Sequence, residues 1–209
     1  MLGIALWRDD QEPQDTEPFE FDGLASYQLR DEMVGALLRD FTMDPEQAHS
    51  YLQRRGALPH GGLGEVTFNT VFEEAQSLIN KILAQEATAN SAVDIDITVS
   101  EQQLQGQLHH VVSWPDGTVG LLQYRASSIK GHHLNALWLD HLIGSAAGVL
   151  TGHSLLITKD KERTIAAIEQ QEALKKLEPW FDGWNTGHHT AVPFFANTSA
   201  CLAGAIKSL

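Results

Sequence analysis

The chain has 209 residues, 43% of them hydrophobic, and a formal net charge of -13. That length supports one sizeable buried core. A balance this acidic argues against tight, free-standing DNA binding, which needs Lys and Arg against phosphates. The excess is local, with 19 acidic and 6 basic residues from Met1 to Glu101 but 8 of each from Gln102 to Leu209. The acidic half either serves solubility alone or docks on a basic partner. No stretch approaches the roughly 18 apolar residues of a membrane span, and the first residues carry neither a basic start nor a cleavage site. The lone Cys201 has no internal disulfide partner, so a reducing, cytoplasmic setting is expected, with no membrane among the partners.

Leu2 to Trp7 reads as a short strand that begins abruptly, as at a cut edge within a larger subunit, and residues 8–22 read as a Pro- and acid-rich connector. The remainder, 23–209, is expected to form one domain with a helical lead-in over 26–55. Its two helices run from Ser26 to Asp40 and from Asp44 to Arg55, the second opened by Asp44-Pro45 at the N-cap and first turn. A core region over 62–184 follows. Phe68, Val71, Phe72, Ala75, Leu78, Ile79 and Ile82 form one helical stripe suited to packing on a sheet. Val93, Ile95, Ile97 and Val99 alternate with polar residues, the period of a half-buried strand.

Leu104 to Trp114 and Val119 to Arg125 flank Pro115-Asp116-Gly117 and predict an antiparallel hairpin. Leu134, Leu137, Trp138 and Leu142 predict a helix closed by Gly144 and Gly148, and Ser154 to Thr158 predicts a strand. A helix is expected from Asp160 to about Trp184 on the spacing of Ile165, Ile168, Leu177, Trp180 and Phe181, and a last one over about 197–208. This order predicts an α/β fold with a mixed central sheet flanked by helices on both faces.

The hairpin carries the chemistry. In the restriction-endonuclease-like fold, of the PD-(D/E)XK type, an Asp on one strand and an acid-x-Lys pair on the next hold magnesium with hard oxygen ligands. The Lys helps to orient the attacking water. Residues two apart on a strand share a face, which sets the spacing of that pair. The order of elements in this chain resembles that fold, and the resemblance puts His109 at the place of the first Asp and Gln123-Tyr124-Arg125 at the place of Asp-Tyr-Lys. Gln is a neutral ligand, His suits softer metals, and Arg is permanently protonated. The loss of several kcal/mol of metal assistance, at roughly 1.4 kcal/mol per tenfold in rate, is expected to lower activity by orders of magnitude.

Taken in order, Leu58 to Glu65, Asn69, Phe72-Glu73-Glu74, Gly106 to Arg125 and Leu137 to Leu142 resemble the C-terminal domain of RecC, a subunit of the heterotrimeric exodeoxyribonuclease V. Thr16 to Phe19, Leu24 and Tyr27 to Leu29 extend the likeness over most of the chain. The resemblance implies a nuclease-like fold with a degenerate site, in which Asn69 takes the place of a His that active relatives often carry. It implies RecB and RecD homologues as partners and DNA as the shared cargo. It also implies no cofactor in this domain, with ATP and magnesium used by the partner subunits.

Each singled-out residue also has a plainer reading. Arg125, Lys130, Lys159, Lys161 and Arg163 could touch phosphates where strand ends meet loops, but surface solvation explains them as well. Arg54 and Arg55 also suit the end of a helix. Trp7, Trp114, Trp138, Trp180 and Trp184 could stack on bases; Trp138 and Trp180 follow apolar stripes, whereas Trp114, beside a turn, is expected to be exposed. His109 and His110, read as strand neighbours, point to opposite faces and make a poor zinc pair. Two competing functions stand beside the scaffold. One is a live nuclease with ligands moved to Glu65, Glu73, Asp94 or Asp96 and Lys130 in place of the lost Lys. The other is a ligand- or metal-binding module unrelated to DNA.

Overall fold

The structure, a computed structural model, describes residues 23–40, 42–59, 61–192 and 194–197. The expected first strand and connector, the Thr16 to Phe19 stretch, Trp7, Cys201 and the last helix beyond Asn197 lie outside the described residues. Among the described residues, five helices and seven strands follow in the order α1 (Gly23–Arg39), α2 (Pro45–Arg54), α3 (Gly62–Leu83), β1 (Thr88–Ala89), β2 (Val93–Val99), β3 (Gln102–Leu108), β4 (Val111–Ser113), β5 (Val119–Arg125), α4 (Gly131–Ala146), β6 (Ser154–Thr158), β7 (Glu162–Ile165) and α5 (Gln170–Gly187).

The start of α2 shows the local chemistry that the sequence predicts. Asp44 Oδ1 accepts from Gln47 N at 2.8 Å, the Gln47 side chain accepts from Asp44 N at 3.2 Å, and Pro45 fills the first turn. Two otherwise orphaned amides are thereby satisfied. The stripe of α3 is buried from Phe68 to Ile79. It packs on α1 and β6, and with them, Val112 and Trp114 it forms one apolar core.

The main sheet has the order β1-β4-β5-β6-β7 and is mixed, with β5 and β6 parallel and the other pairs antiparallel. Helix α4 makes the crossover between the two parallel strands, as a parallel pair requires. Leu155 and Ile157 of β6 join the core on the α1–α3 side, whereas Leu121 and Leu156 join a second core against α4 and α5. The second core also takes Ile95, Ile97 and Val99 from a separate two-stranded ribbon, β2 with β3. The expected α/β class, with a mixed sheet and helices on both faces, is what forms.

Four expectations need correction. The long strand from Leu104 to Trp114 is two strands in two sheets, broken at His109-His110, where His110 adopts φ 61°. Gly144 lies inside α4; the helix ends at Ala146, followed by Gly148 at φ 71°. Glu162–Ile165 is an edge strand rather than the start of the last helix, because its backbone pairs with β6 from Ser154–Ile165 to Ile157–Glu162. Trp114 is buried, at 5% relative exposure. Its indole turns back over Gly120 and Gly152, stacks on His153 at 4.2 Å and donates from Nε1 to His153 O at 2.9 Å. A Cβ at Gly120 would run into that carbonyl and the indole, so the strand must carry glycine there.

Candidate functional site

Strand β5 divides its side chains between the layers. Leu122 and Tyr124 pack toward α1–α3, while Leu121 lies in the core under α4. Alternation puts Gln123 and Arg125 on the α4 side with Leu121. Gln123 is 3% exposed, and its Nε2 donates to Asp140 Oδ2 of α4 at 2.8 Å. Burial, the largest influence, raises the Asp140 pKa; the Gln123 amide and the His110, Arg125 and His109 charges pull it back down. These four side chains therefore lie within electrostatic reach of one carboxylate.

The break between β3 and β4 supplies the histidines. His110 O accepts from Leu122 N at 3.0 Å, which fixes the break beside β5. The pKa of His110 is lowered chiefly by burial, then by Arg125 and His109, with Asp140 acting in the opposite sense. Because neither His109 nor His110 lies within a strand, strand alternation does not govern where their rings point. Arg125 Nη1 donates to Tyr124 O at 2.9 Å. Gln123 thus bonds to Asp140, and His109, His110 and Arg125 act electrostatically on the same carboxylate.

Asp140 escaped the sequence reading as a site residue. Its signal is a lone carboxylate in the otherwise apolar run Leu137-Trp138-Leu139, followed by His141, which is fully buried with Nδ1 2.7 Å from Ser154 Oγ. A group of this make-up can hold an anion or order water. It has one carboxylate, already hydrogen-bonded, against a neutral amide, a guanidinium and two imidazoles.

The other candidates lie elsewhere. Asn69 is exposed on α3, the helix covering the opposite face of the sheet. Arg54 Nε donates to Ser50 O within its own helix. Arg55 pairs with Glu32 at 2.6 Å, tying α2 to α1, and its guanidinium lies over Tyr51. Lys159 pairs with Glu74, which also holds Arg30 at 3.2 Å. Lys161 follows β6, and the exposed Arg163 on β7 donates to Glu162 O at 3.0 Å. Lys130 stands exposed at the head of α4.

The acids of the migrated-ligand reading do not converge. Glu65 and Glu73 are exposed on α3, while Asp94 and Asp96 lie on the outer face of the ribbon. There Gln107 donates to Asp94 at 2.9 Å, and Gln103 and Gln105 donate to Asp96 at 2.9 and 3.0 Å. Among the described residues no group of three or more His, Cys, Asp or Glu side chains could hold a metal ion.

The chain is 31% identical over 186 residues to the RecBCD enzyme subunit RecC of Escherichia coli strain K12, covering 89% of this chain and 16% of that protein. Its identity to the subunit of the same name from Buchnera aphidicola subsp. Acyrthosiphon pisum is 24% over 186 residues, covering 89% of this chain and 17% of the relative. With that of Haemophilus influenzae it is 22% over 184 residues, covering 85% and 16%. The chain thus spans about a sixth of the length of the curated relatives it matches. The family model described as the RecC C-terminal domain matches residues 1–207, and the chain belongs to that family.

Proposed function

We propose that this chain acts as a non-catalytic, nuclease-like domain of a RecC subunit. In that role it helps to form DNA-strand channels and subunit contacts within a RecBCD-type helicase–nuclease during double-strand break repair by homologous recombination. Its partners are RecB and RecD homologues, with DNA entering through the assembled complex in the cytoplasm. ATP and magnesium serve the partner subunits, and this domain needs no cofactor of its own.

The observation that carries this reading is the state of Gln123. In a working site of the restriction-endonuclease-like fold its position offers a carboxylate to a metal. Here a buried amide donates to Asp140, with Arg125 two residues on. A guanidinium remains protonated and cannot serve as a base, and Gln123 supplies no negative charge to a divalent ion. The gathered side chains therefore favour a structural polar cluster over phosphodiester hydrolysis. The relatives bear the name of a RecBCD subunit, which supports the choice of partners.

Incubation of the purified chain with linear duplex and single-stranded DNA, with magnesium or manganese, is expected to give no cleavage products. Metal-dependent products that vanish in an Asp96→Ala variant would replace this reading with that of a live nuclease. A longer RecC chain containing this domain is expected to capture RecB and RecD homologues, and deletion of the domain to weaken that capture. A folded, longer chain that captures neither removes the scaffold role.

A further inference from the structure

A cleft of about 560 Å3 opens at the carboxyl ends of the parallel strands β5 and β6. Crevices at this place in open α/β sheets are where ligands characteristically bind, because loops and helix starts converge there. Ser127, Ser128 and Lys130 line it from the loop after β5, and His132 and His133 from the first turn of α4. Arg30 of α1 and Lys159 close the far wall, bridged by Glu74. The other acid nearby, Asp160, accepts from Ile129 N at 3.1 Å and from Thr158 Oγ1 at 3.0 Å. Two lysines, one arginine and two imidazoles thus line one cleft, with Arg30 and Lys159 paired to Glu74, in a chain whose formal charge is -13.

The start of α4 already receives an acceptor oxygen. Asn197 Oδ1 takes a hydrogen bond from His132 N at 3.2 Å and lies 3.3 Å from His132 Nδ1. An anion's oxygen at a helix start makes the same bond with a larger electrostatic return. His133 Nδ1 accepts from Lys130 N at 3.3 Å, so the neutral ring keeps its proton on Nε2 as a donor. Among the described residues the Lys130 ammonium has no ion pair.

We propose that this cleft binds a phosphate group, held by Lys130, the two imidazoles and the His132 amide, and that the phosphate displaces Asn197 Oδ1 from that amide. The site is separate from the Gln123–Asp140 pair and needs no partner subunit. Burial first, then the His132, Arg125 and Lys130 charges, bring the His133 pKa down to about 4, so the ring stays neutral near pH 7 and offers Nε2–H as a donor.

Calorimetric titration of the 209-residue chain with inorganic phosphate tests the proposal. Saturable binding is expected, weakened about tenfold or more by Lys130→Gln, in line with loss of a charge-assisted hydrogen bond. Lys175→Gln, on the exposed side of α5, should leave it unchanged. Removal of the competing oxygen by Asn197→Ala should tighten binding. Two short single-stranded oligonucleotides, differing only in a 5′-phosphate or a 5′-hydroxyl, separate the sources: preference for the phosphorylated one marks a terminal phosphate, and equal binding marks an internal phosphodiester. No heat of binding with phosphate, or equal weakening by Lys130→Gln and Lys175→Gln, overturns the proposal. Because phosphate binding is read on the chain alone, its failure leaves the scaffold reading standing, and failed capture of RecB and RecD leaves this site standing.

Discussion

The two faces of the main sheet solve the burial problem differently. Under α1–α3 the contact is almost wholly apolar, with Phe68 and Phe72 stacked at 5.4 Å and Leu155 and Ile157 beneath them. Under α4 and α5 the interface buries Gln123, Ser154 and Thr158 of the sheet and His141 of α4 among the apolar side chains. Side-chain hydrogen bonds join Gln123 to Asp140 and His141 to Ser154, and the one hydroxyl hydrogen of Thr158 is shared between Asp160 Oδ1 and Lys161 O. The first face is held by area removed from water. The second is also held by pairing, since a buried polar group left without a partner costs more than its bond contributes.

Substitutions on the two faces should therefore fail in different ways. On the dry face, Trp114→Ala is expected to lower the unfolding free energy by about 3–5 kcal/mol, the range for aromatic-to-alanine changes in cores. Trp114→Phe should cost less, retaining ring area while losing the bond to His153 O. Urea denaturation reads both, and a negligible change in the Ala variant would return Trp114 to the surface.

On the polar face, Asp140→Ala strands the Gln123 amide and is expected to cost about 1–3 kcal/mol, whereas Asp140→Asn, which keeps an acceptor oxygen, should recover most of it. Equal losses in both variants would mean that charge, rather than the hydrogen bond, does the holding.

The smallest effect is a dependence on pH. His110, His133 and His141 all have pKa values below the ordinary 6.5, chiefly through burial, with His133 at about 4. Above about 6.5 they are neutral in the folded and unfolded chain alike. As pH falls toward 4 the unfolded chain takes up protons that the native chain refuses, and stability declines. Asp140, with its raised pKa, opposes this trend in acid. The urea midpoint should drop between pH 7 and pH 4.5, less steeply in His133→Asn; a flat profile would contradict the burial of these rings.

The same contrast explains what could be read from the sequence. Dry elements announce themselves by period: the α3 stripe, the β2 alternation and the Asp44 cap are local patterns, and each element stands where its pattern indicates. Glu162–Ile165 misleads because Ile165 and Ile168 fit a helical spacing, while its pairing with β6 depends on neighbours distant from any local pattern. The break at His109-His110 leaves one trace. Leu108 and Val111, three apart, face the same core, which one continuous strand would forbid. In the site, strand spacing puts Gln123 and Arg125 on one face, but Asp140 carries no such signal, because it sits on the crossover helix and its partner on β5. Trp114 misleads because proximity to a turn usually means exposure, and only the missing side chains of Gly120 and Gly152 let the indole fold inward.

The ladder on the outer face of the ribbon has a further effect. Amide hydrogen bonds from Gln103 and Gln105 lower the Asp96 pKa and hold it ionised into more acidic solution than a free aspartate. A polyanion approaching that side meets a standing repulsion, fixed in place by neutral amides that do nothing to cancel it.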